Sequence, residues 1–411
     1  ARADLEQAVG DGGGEIIQAG RLVPIMTVRA AKAFVLETLA RRSDVVTILE
    51  AESAGDLRSV AAAEDLRNWA FYDDDNRGTG IVIAISETFD NRDKCCPGGF
   101  CVHGPSQLQA LHPHFVEPSV EELVTCSGDD ECEGYNEGCE EGLCVSFHVT
   151  AVAGMASLYV ETSGEQGGAP GARLIHANQG GTANLPESLA WAVEHGATVI
   201  NRSVGQTPSE LDTYDRVLDW VARLHGVTIT LAAGNEGTFP SGADIGDLAN
   251  PPALADCDAY NVICVGGYDD GDSPGDWSDD TMAMAQTGNP TGTDREEPDV
   301  VAPATNRATA IVRSPWVEDS LCGAGIEGTS FAAPAIAGFA ALLQSDQPEL
   351  ATHPEGLRAI LMASGQHPVP PNFPLTIILF GDAMSRFGDD WDGVGAPDAV
   401  GAREIIAGGT Y

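Results

Sequence analysis

A serine stands at the start of an expected helix in the stretch Gly328-Thr329-Ser330-Phe331-Ala332-Ala333-Pro334. The residues that follow, up to Leu343, are small or apolar and predict a buried helix. The free N–H groups and the positive dipole end of such a helix favour negative charge that develops near the Ser330 hydroxyl. Ser330 is therefore a candidate nucleophile. The simpler interpretation is a serine that only caps the helix, and an isolated Thr-Ser pair would favour it.

The complete stretch from Gly328 to Pro334 resembles the nucleophile motif of the subtilisin-like serine peptidases. The resemblance implies an α/β fold in which a parallel sheet is sandwiched by helices. It also implies a catalytic triad whose chain order is acid, histidine, serine. Ser330 would then form an acyl-enzyme with its substrate.

A histidine opens a second run of small and apolar residues, from His148 to Ala156, that predicts a helix. In the family the triad histidine begins a helix that reads His-Gly-Thr-His-Val-Ala-Gly. Here the first seven residues match that pattern except at Val149 and Ala151. The resemblance assigns the role of general base to His148.

The acid is expected at the carboxyl end of an apolar strand over Ile81 to Ser86, because functional groups collect at that end in open α/β sheets. Glu87 stands there, whereas the family has an aspartate followed by Thr or Ser and then Gly. A glutamate can also hold an imidazole in one tautomer, although its extra methylene changes how the two groups must sit. The register of the strand favours Glu87 as the orienting acid, and Asp90 is the alternative.

Two further stretches resemble the parts of the family site that hold the oxyanion and the substrate. Asn235 follows the strand Val227 to Leu231 and matches the oxyanion-hole asparagine, which would act beside the Ser330 N–H. A glycine-rich turn alone also explains an asparagine there. The expected substrate-binding residues, which would pair with extended peptide by β-addition or line the adjoining wall, are Ser203, Val204, Gly205, Ala232, Ala233 and Gly234.

The charge balance limits the partners. The chain has 62 acidic and 21 basic residues among 411, and its net charge of −41 would repel nucleic acid and anionic membrane surfaces. We expect a peptide or protein substrate and chemistry that requires no cofactor. The acidity fits surface solvation or a salty medium. The alternative is structural calcium, for which Asp129-Asp130-Glu131 and Asp269-Asp270-Gly271-Asp272 offer oxygen ligands.

Seven of the ten cysteines lie between Cys95 and Cys144. Cysteines at such density favour disulfides and a secreted or otherwise extracytoplasmic location. Residues 91–147 therefore predict a disulfide-stapled insertion near the site, which acts on substrate access or is a rigid surface decoration. Cys257 and Cys264 are close enough in sequence to pair with each other.

Residues 1–55 resemble the propeptide of these peptidases, and residues 56–411 would form the peptidase domain. A helix over Ala30 to Arg42 and a strand over Asp44 to Leu49 carry this resemblance, while a glycine run predicts flexibility in residues 1–20. The segment would be a partner of the peptidase domain. It was either cleaved and stayed bound or persists as a permanent subdomain.

These patterns predict a serine endopeptidase in which Ser330, His148, Glu87 and Asn235 act together. One alternative is a peptide ligase or cyclase, in which an amine captures the same acyl-enzyme. Another is a binding protein that kept the fold and lost the chemistry, which the departures at Glu87 and Val149 favour. The presence of nucleophile, base and oxyanion residue together favours an active enzyme.

Overall fold

The structure is a computed structural model, and it describes residues 2–12, 15–19, 26–29, 38–42, 66–72, 76–87, 137–140, 143–157, 159–160, 165–178, 185–204, 213–235, 257–270, 280–284, 297–305, 307–310, 322–365 and 393–408. The chain divides into two units, residues 1–55 and 56–411, and each is described by itself.

The first unit contains a helix, a two-stranded antiparallel sheet and a 3-10 turn. Its elements are α1 (Arg2–Asp11), β1 (Glu15–Ala19), β2 (Met26–Arg29) and the turn Leu39–Arg41. Within residues 1–20, for which the glycine run predicts flexibility, good helix formers precede that run in α1, and β1 pairs with β2. The flexibility itself stays a prediction. The predicted strand over residues 44–49 lies outside the described residues, and the propeptide interpretation stays a prediction.

The second unit alternates strands with helices. Its strands are β3 (Val82–Glu87), β4 (Glu137–Glu140), β5 (Leu143–Ser146), β6 (Tyr159–Val160), β7 (Glu165–Gln166), β8 (Arg173–Asn178), β9 (Val199–Arg202), β10 (Thr228–Ala232), β11 (Ile263–Asp269), β12 (Thr281–Met284), β13 (Val300–Pro303), β14 (Arg307–Ala310) and β15 (Cys322–Ile326). Its helices are α2 (Trp69–Tyr72), α3 (Phe147–Ser157), α4 (Leu185–Glu194), α5 (Thr213–His225), α6 (Thr329–Asp346), α7 (Pro354–Ala363) and α8 (Ala399–Gly408).

Seven of these strands form the central sheet, in the order β12-β11-β10-β9-β3-β8, with β13 paired to β11. All of its pairings are parallel except that between β11 and β12. The predicted parallel sheet between helices is confirmed, and the antiparallel strand β12 is the departure from it. The apolar, β-branched composition of β3, β9 and β10 fits strands that are buried on both faces.

The two faces of the sheet bury separate apolar layers. On one face Ile83 and Ile85 pack with α3 and α6, and on the other Ala84 and Ile175 pack with α4 and α5. Helix α6 is buried along almost its whole length, which explains its small and apolar residues. Successive side chains of a strand point to opposite faces, so Glu87 projects toward the layer of α3 and α6.

Close backbone contact fixes α6 against α3. A Cβ atom at Gly338 of α6 would lie 2.6 Å from the Gly168 Cα and 2.7 Å from the Ala156 carbonyl oxygen, which belongs to α3. Both neighbours are main-chain atoms, so no side chain can move aside. Glycine at this position lets the two helices approach each other, and these helices carry His148 and Ser330.

Two predictions about the cysteines have different outcomes. Cys257 and Cys264, which are close enough in sequence to pair, form a disulfide bond. Of the expected Cys-rich insertion, the structure describes the antiparallel hairpin of β4 and β5, which leads directly into α3. The remainder lies outside the described residues. No helix in the described part of the chain is both long and apolar enough to cross a membrane.

We predict that Gly338→Ala destabilises the fold by about 1–3 kcal/mol, because the added methyl group overlaps main-chain atoms of two neighbouring segments. Urea unfolding measures the change. The matched control is Gly356→Ala in α7, where the nearest atoms lie 3.9 Å from the added Cβ. That control should stabilise by about 0.5–1 kcal/mol through helix propensity. Equal effects of the two substitutions would contradict the close approach of α3 and α6.

Candidate active site

Ser330 lies in the first turn of α6, directly beyond the end of β9. The Ser330 hydroxyl donates a hydrogen bond to the Ser203 carbonyl oxygen at 3.1 Å. The Ser203 hydroxyl in turn donates to the Ser330 carbonyl oxygen at 2.8 Å. This exchange of two hydrogen bonds attaches the candidate nucleophile to the first residue after β9. Gly328, at a φ of 135°, allows the sharp entry of the chain into α6.

Glu87 and His148 form a buried acid–imidazole pair. Glu87 ends β3 and is 2% exposed, and His148 lies in the first turn of α3. The His148 Nδ1 atom lies 2.8 Å from the Glu87 Oε2 atom. Because an ionised carboxylate only accepts hydrogen bonds, Nδ1 carries the proton and Nε2 is the basic nitrogen of the neutral ring. The pair therefore has the arrangement that orients a general base.

The His148 ring also lies beside the turn that carries Ser330. Its centroid is 5.6 Å from that of the Phe331 ring, and 26% of the His148 side chain is exposed. Within the described residues no hydrogen bond joins His148 to Ser330, since the Ser330 hydroxyl donates to Ser203 instead. The candidate base therefore lies beside the turn that carries the candidate nucleophile, and the Ser330 hydroxyl is hydrogen-bonded to Ser203.

Opposing effects set the pKa of His148. Burial of the ring lowers this pKa, while the charge of Glu87 and the hydrogen bond to it raise the pKa. The two contributions of Glu87 together exceed that of burial, so the pKa of His148 lies above its ordinary value of 6.5. The imidazolium form is stabilised, which is what a base needs once it has taken up a proton.

Asn235 lies on the other side of the α6 N-terminus. Its Oδ1 atom accepts a hydrogen bond from the Thr329 N–H at 2.9 Å and lies 3.0 Å from the Thr329 hydroxyl oxygen. Since a main-chain N–H can only donate, these contacts fix the orientation of the amide and place Nδ2 at its other end. The side chain is exposed, and a Cβ atom at Gly328 would lie 3.4 Å from Nδ2. The amide donor therefore flanks the turn that carries Ser330.

Sequence analysis missed the role of Thr329 in this arrangement. Thr329 is fully buried, and its hydroxyl lies 3.0 Å from the Gly234 carbonyl oxygen and 3.2 Å from the Gly234 nitrogen. It therefore ties the end of β10 to the start of α6. Its position directly before the candidate nucleophile was the available signal, because a polar side chain in an otherwise apolar buried run needs partners.

The expected substrate-binding residues that the structure describes lie at the ends of β9 and β10. Ser203 is buried and Val204 half-buried, while Ala232, Ala233 and Gly234 are buried in and after β10. Gly205 and the alternative acid, Asp90, lie outside the described residues. The roles of these positions in substrate binding stay predictions.

The acidic stretches expected to offer calcium ligands are only partly among the described residues. Asp269 ends β11 and Asp270 is fully buried, but the rest of that stretch and residues 129–131 lie outside the described residues. One described group has metal-ligand spacing, namely Cys257, Cys264 and Glu297. Both sulfur atoms are held in the disulfide bond, so this group offers no thiolate in this state.

Comparison with known proteins gives one family. A family model described as the subtilase family matches residues 127–375. Among curated relatives, the chain is 28% identical over 232 residues to serine protease AprX of Bacillus subtilis, which covers 49% of each chain. It is 27% identical over 207 residues to Subtilisin Savinase of Lederbergia lenta, covering 49% of this chain and 64% of the relative. The chain thus spans less than two thirds of the length of these relatives.

Solved structures show the same fold at lower identity. MycP1 from Mycobacterium smegmatis superposes with a TM-score of 0.54 at 19% identity, covering 87% of this chain and 86% of the other. The prenylagaramide maturation protease PagA gives 0.51 at 20% identity, covering 83% and 98%. Glu87 precedes the 127–375 match, so its assignment depends on the contact with His148.

We predict that His148 titrates above pH 6.5 and that Glu87→Gln lowers this pKa, because burial then acts without the opposing charge. NMR titration of the imidazole measures both values.

Since the pKa of the folded form is raised, the pair contributes stability that is fully present below pH 6.5 and is lost as pH rises through the folded value. Glu87→Gln should reverse this dependence, because burial alone lowers the pKa of folded His148 below that of the unfolded form, whereas Glu355→Gln, at an exposed position of α7, should leave the dependence intact. A pKa of His148 that is the same in wild type and in Glu87→Gln would refute the pair.

Proposed function

This chain belongs to the subtilase family, and we propose that it is a serine endopeptidase that hydrolyses peptide bonds through an acyl-enzyme on Ser330. The observation that carries the proposal is the contact of 2.8 Å between His148 and Glu87 beside the helix start that holds Ser330. In this proposal Ser330 is the nucleophile, His148 the base, Glu87 the orienting acid and Asn235 an oxyanion donor.

The proposed reaction begins with transfer of the Ser330 hydroxyl proton to the Nε2 atom of His148. The Ser330 oxygen bonds to the carbonyl carbon of the scissile peptide, and Glu87 stabilises the imidazolium that results. His148 then gives the proton to the leaving amine as the C–N bond breaks. In the second half His148 takes a proton from water, whose oxygen attacks the acyl carbon, and His148 then gives that proton to the Ser330 oxygen as its bond to the acyl carbon breaks. Protein groups perform every step, so the chemistry requires no cofactor.

In this proposal two N–H groups would stabilise the oxyanion of each tetrahedral intermediate. These are the main-chain N–H of Ser330 and the side-chain amide of Asn235, whose Oδ1 atom is held by Thr329. Donors fixed before the reaction need no reorganisation when charge develops. The hydrogen bonds of Thr329 to Asn235 and Gly234 therefore support the proposal that this amide is preorganised.

Substrate binding would release the nucleophile from its hydrogen bond to Ser203. The Ser330 hydroxyl donates to the Ser203 carbonyl. An extended peptide that pairs with the main chain at Ser203 and Val204, directly after β9, would bring its own N–H to that carbonyl. The displaced hydroxyl can then turn to His148. This order of events would limit proton transfer in the absence of substrate.

The substrate class and the location belong to the same proposal. We expect the substrate to be a peptide or protein, because the curated relatives are proteases. Ten cysteines and the Cys257–Cys264 disulfide bond favour an extracytoplasmic location. A role of residues 1–55 as a propeptide that accompanies residues 56–411 is proposed with them.

We predict that a fluorophosphonate adds to wild-type protein at Ser330 and that Ser330→Ala abolishes the addition, because only an activated serine attacks this phosphorus centre. Intact-mass analysis measures the adduct, and peptide mapping locates it. Thr329→Ser is the control for turn geometry, because it keeps a hydroxyl group at the position directly before Ser330. A folded wild type that resists the reagent and cleaves no peptide would favour the binding-protein alternative. A product joined to an added amine, in excess over hydrolysis, would favour the ligase.

We predict that Asn235→Ala lowers kcat by about 10²–10³-fold with a small change in KM, because the amide acts on the intermediate more than on the bound peptide. Steady-state peptide hydrolysis measures both constants. Loss of the oxyanion-hole asparagine in subtilisin, a member of the same family, has an effect of this size and sets the expectation. A rise in KM at constant kcat would instead assign Asn235 to ground-state binding.

A further inference from the structure

Pro334 removes the normal hydrogen-bond donor for the Ser330 carbonyl. In an α-helix the carbonyl of residue i accepts from the N–H of residue i+4, and α6 contains both Ser330 and Pro334. Proline has no N–H, and its ring crowds the carbonyl four residues earlier. The turn that carries the candidate nucleophile therefore needs a donor from outside the helix.

The Ser203 hydroxyl is that donor. It donates to the Ser330 carbonyl oxygen at 2.8 Å, and Ser203 is 3% exposed. A hydroxyl has one proton, and a carbonyl oxygen can only accept. The proton of Ser203 is thus committed to Ser330, and every other partner of the Ser203 oxygen must donate to it.

Asn201 and Thr230 continue the hydrogen-bond chain into the sheet. The Asn201 Nδ2 atom donates to the Ser203 hydroxyl oxygen at 2.9 Å, and the Thr230 hydroxyl donates to the Asn201 Oδ1 atom at 3.0 Å. Both residues are fully buried and face each other across β9 and β10. This hydrogen-bond chain ends on the Ser330 carbonyl oxygen, which can only accept. The donor and the acceptor of every hydrogen bond in it are therefore fixed.

We propose that Asn201 and Thr230 are positioning residues for the nucleophile. Through Ser203 they supply the donor that Pro334 withholds, and so they hold the main chain of Ser330 at the angle that α6 alone does not impose. The same series of hydrogen bonds fixes the positions of the Ser330 main-chain N–H and the Ser203 carbonyl. This inference rests on the proposed peptidase function. Neither Asn201 nor Thr230 contacts the reacting atoms.

Two nearly isosteric substitutions break the hydrogen-bond chain at different links. Thr230→Val removes the first donor. Asn201→Asp places an acceptor against the Ser203 hydroxyl and draws its proton away from the Ser330 carbonyl. The matched control is Thr228→Val on the same strand and face, since Thr228 is also buried but its hydroxyl accepts from Gln344 at 3.2 Å.

We expect Thr230→Val and Asn201→Asp to slow fluorophosphonate addition and to lower kcat by about 10–100-fold, with KM within about twofold, because small displacements of a nucleophile have costs of this size. Thr228→Val should leave the addition rate within about twofold of wild type. Unfolding in urea, measured for all three, separates loss of fold from loss of position. Equal losses of rate in Thr228→Val and Thr230→Val would overturn the proposal.

Pro334→Ala provides a rescue test. It restores an N–H that can donate to the Ser330 carbonyl within the helix. Adding Pro334→Ala to Asn201→Asp should therefore raise the rate of fluorophosphonate addition by at least about tenfold over that of Asn201→Asp alone. In a Ser203→Ala background, Asn201→Asp should add less than about twofold to the defect, because the two residues act through one contact. No recovery by Pro334→Ala, or full additivity with Ser203→Ala, would each contradict the proposal.

Hydrogen exchange tests the positioning role without catalysis. The Phe331 N–H donates to the Gly328 carbonyl at 2.9 Å and reports on the same turn. Its exchange should accelerate by about tenfold or more in Asn201→Asp and Thr230→Val but not in Thr228→Val. If the wild type lacks peptidase activity but the three variants show this exchange pattern, the proposed function is refuted and the positioning role is retained. Unchanged exchange in all three variants would refute the positioning role itself.

Discussion

The first turn of α6 is attached to the ends of two neighbouring strands, and the rest of the candidate site depends on that attachment. On the β9 side Ser203 and Ser330 exchange two hydrogen bonds. On the β10 side Thr329 binds Gly234 and Asn235. Helix α6 is also buried along most of its length and packs on α3 without an intervening side chain at Gly338. The sheet therefore determines where Ser330, His148 and Asn235, the candidate nucleophile, base and oxyanion donor, stand relative to one another.

The pair of Glu87 and His148 shows how burial and charge oppose each other at such a site. Burial alone would favour a neutral imidazole, but the adjacent carboxylate raises its pKa above the ordinary value. A base with a raised pKa holds a transferred proton better, although more of it is protonated near neutral pH. Glutamate at the end of β3 reaches the ring at 2.8 Å despite its extra methylene relative to aspartate. The geometry thus accommodates the departure from the family pattern.

The same turn illustrates how one local irregularity is offset by distant residues. Pro334 cannot donate to the Ser330 carbonyl, and an unpaired buried carbonyl is costly. A side chain from β9 satisfies it, and that side chain is oriented by buried polar groups of β9 and β10. Polar residues in the interior of a parallel sheet need such partners, so the requirements of the fold and of the candidate site coincide at Asn201.

The sequence by itself determined the fold class, the strand that ends at Glu87 and the two helices that begin near His148 and Ser330, and it showed that Cys257 and Cys264 are close enough to pair. Apolar runs, short motifs and close cysteines are local signals, and local signals survive without coordinates. It gave no indication that β1 pairs with β2, because glycine content says nothing about a pairing partner farther along the chain. The tertiary structure alone decided the contact between Glu87 and His148, the shared hydrogen bonds of Ser203 and Ser330, and the orientation of the Asn235 amide. These contacts join residues 61, 127 and 94 positions apart, and such distances are set by sheet order and packing rather than by any local pattern.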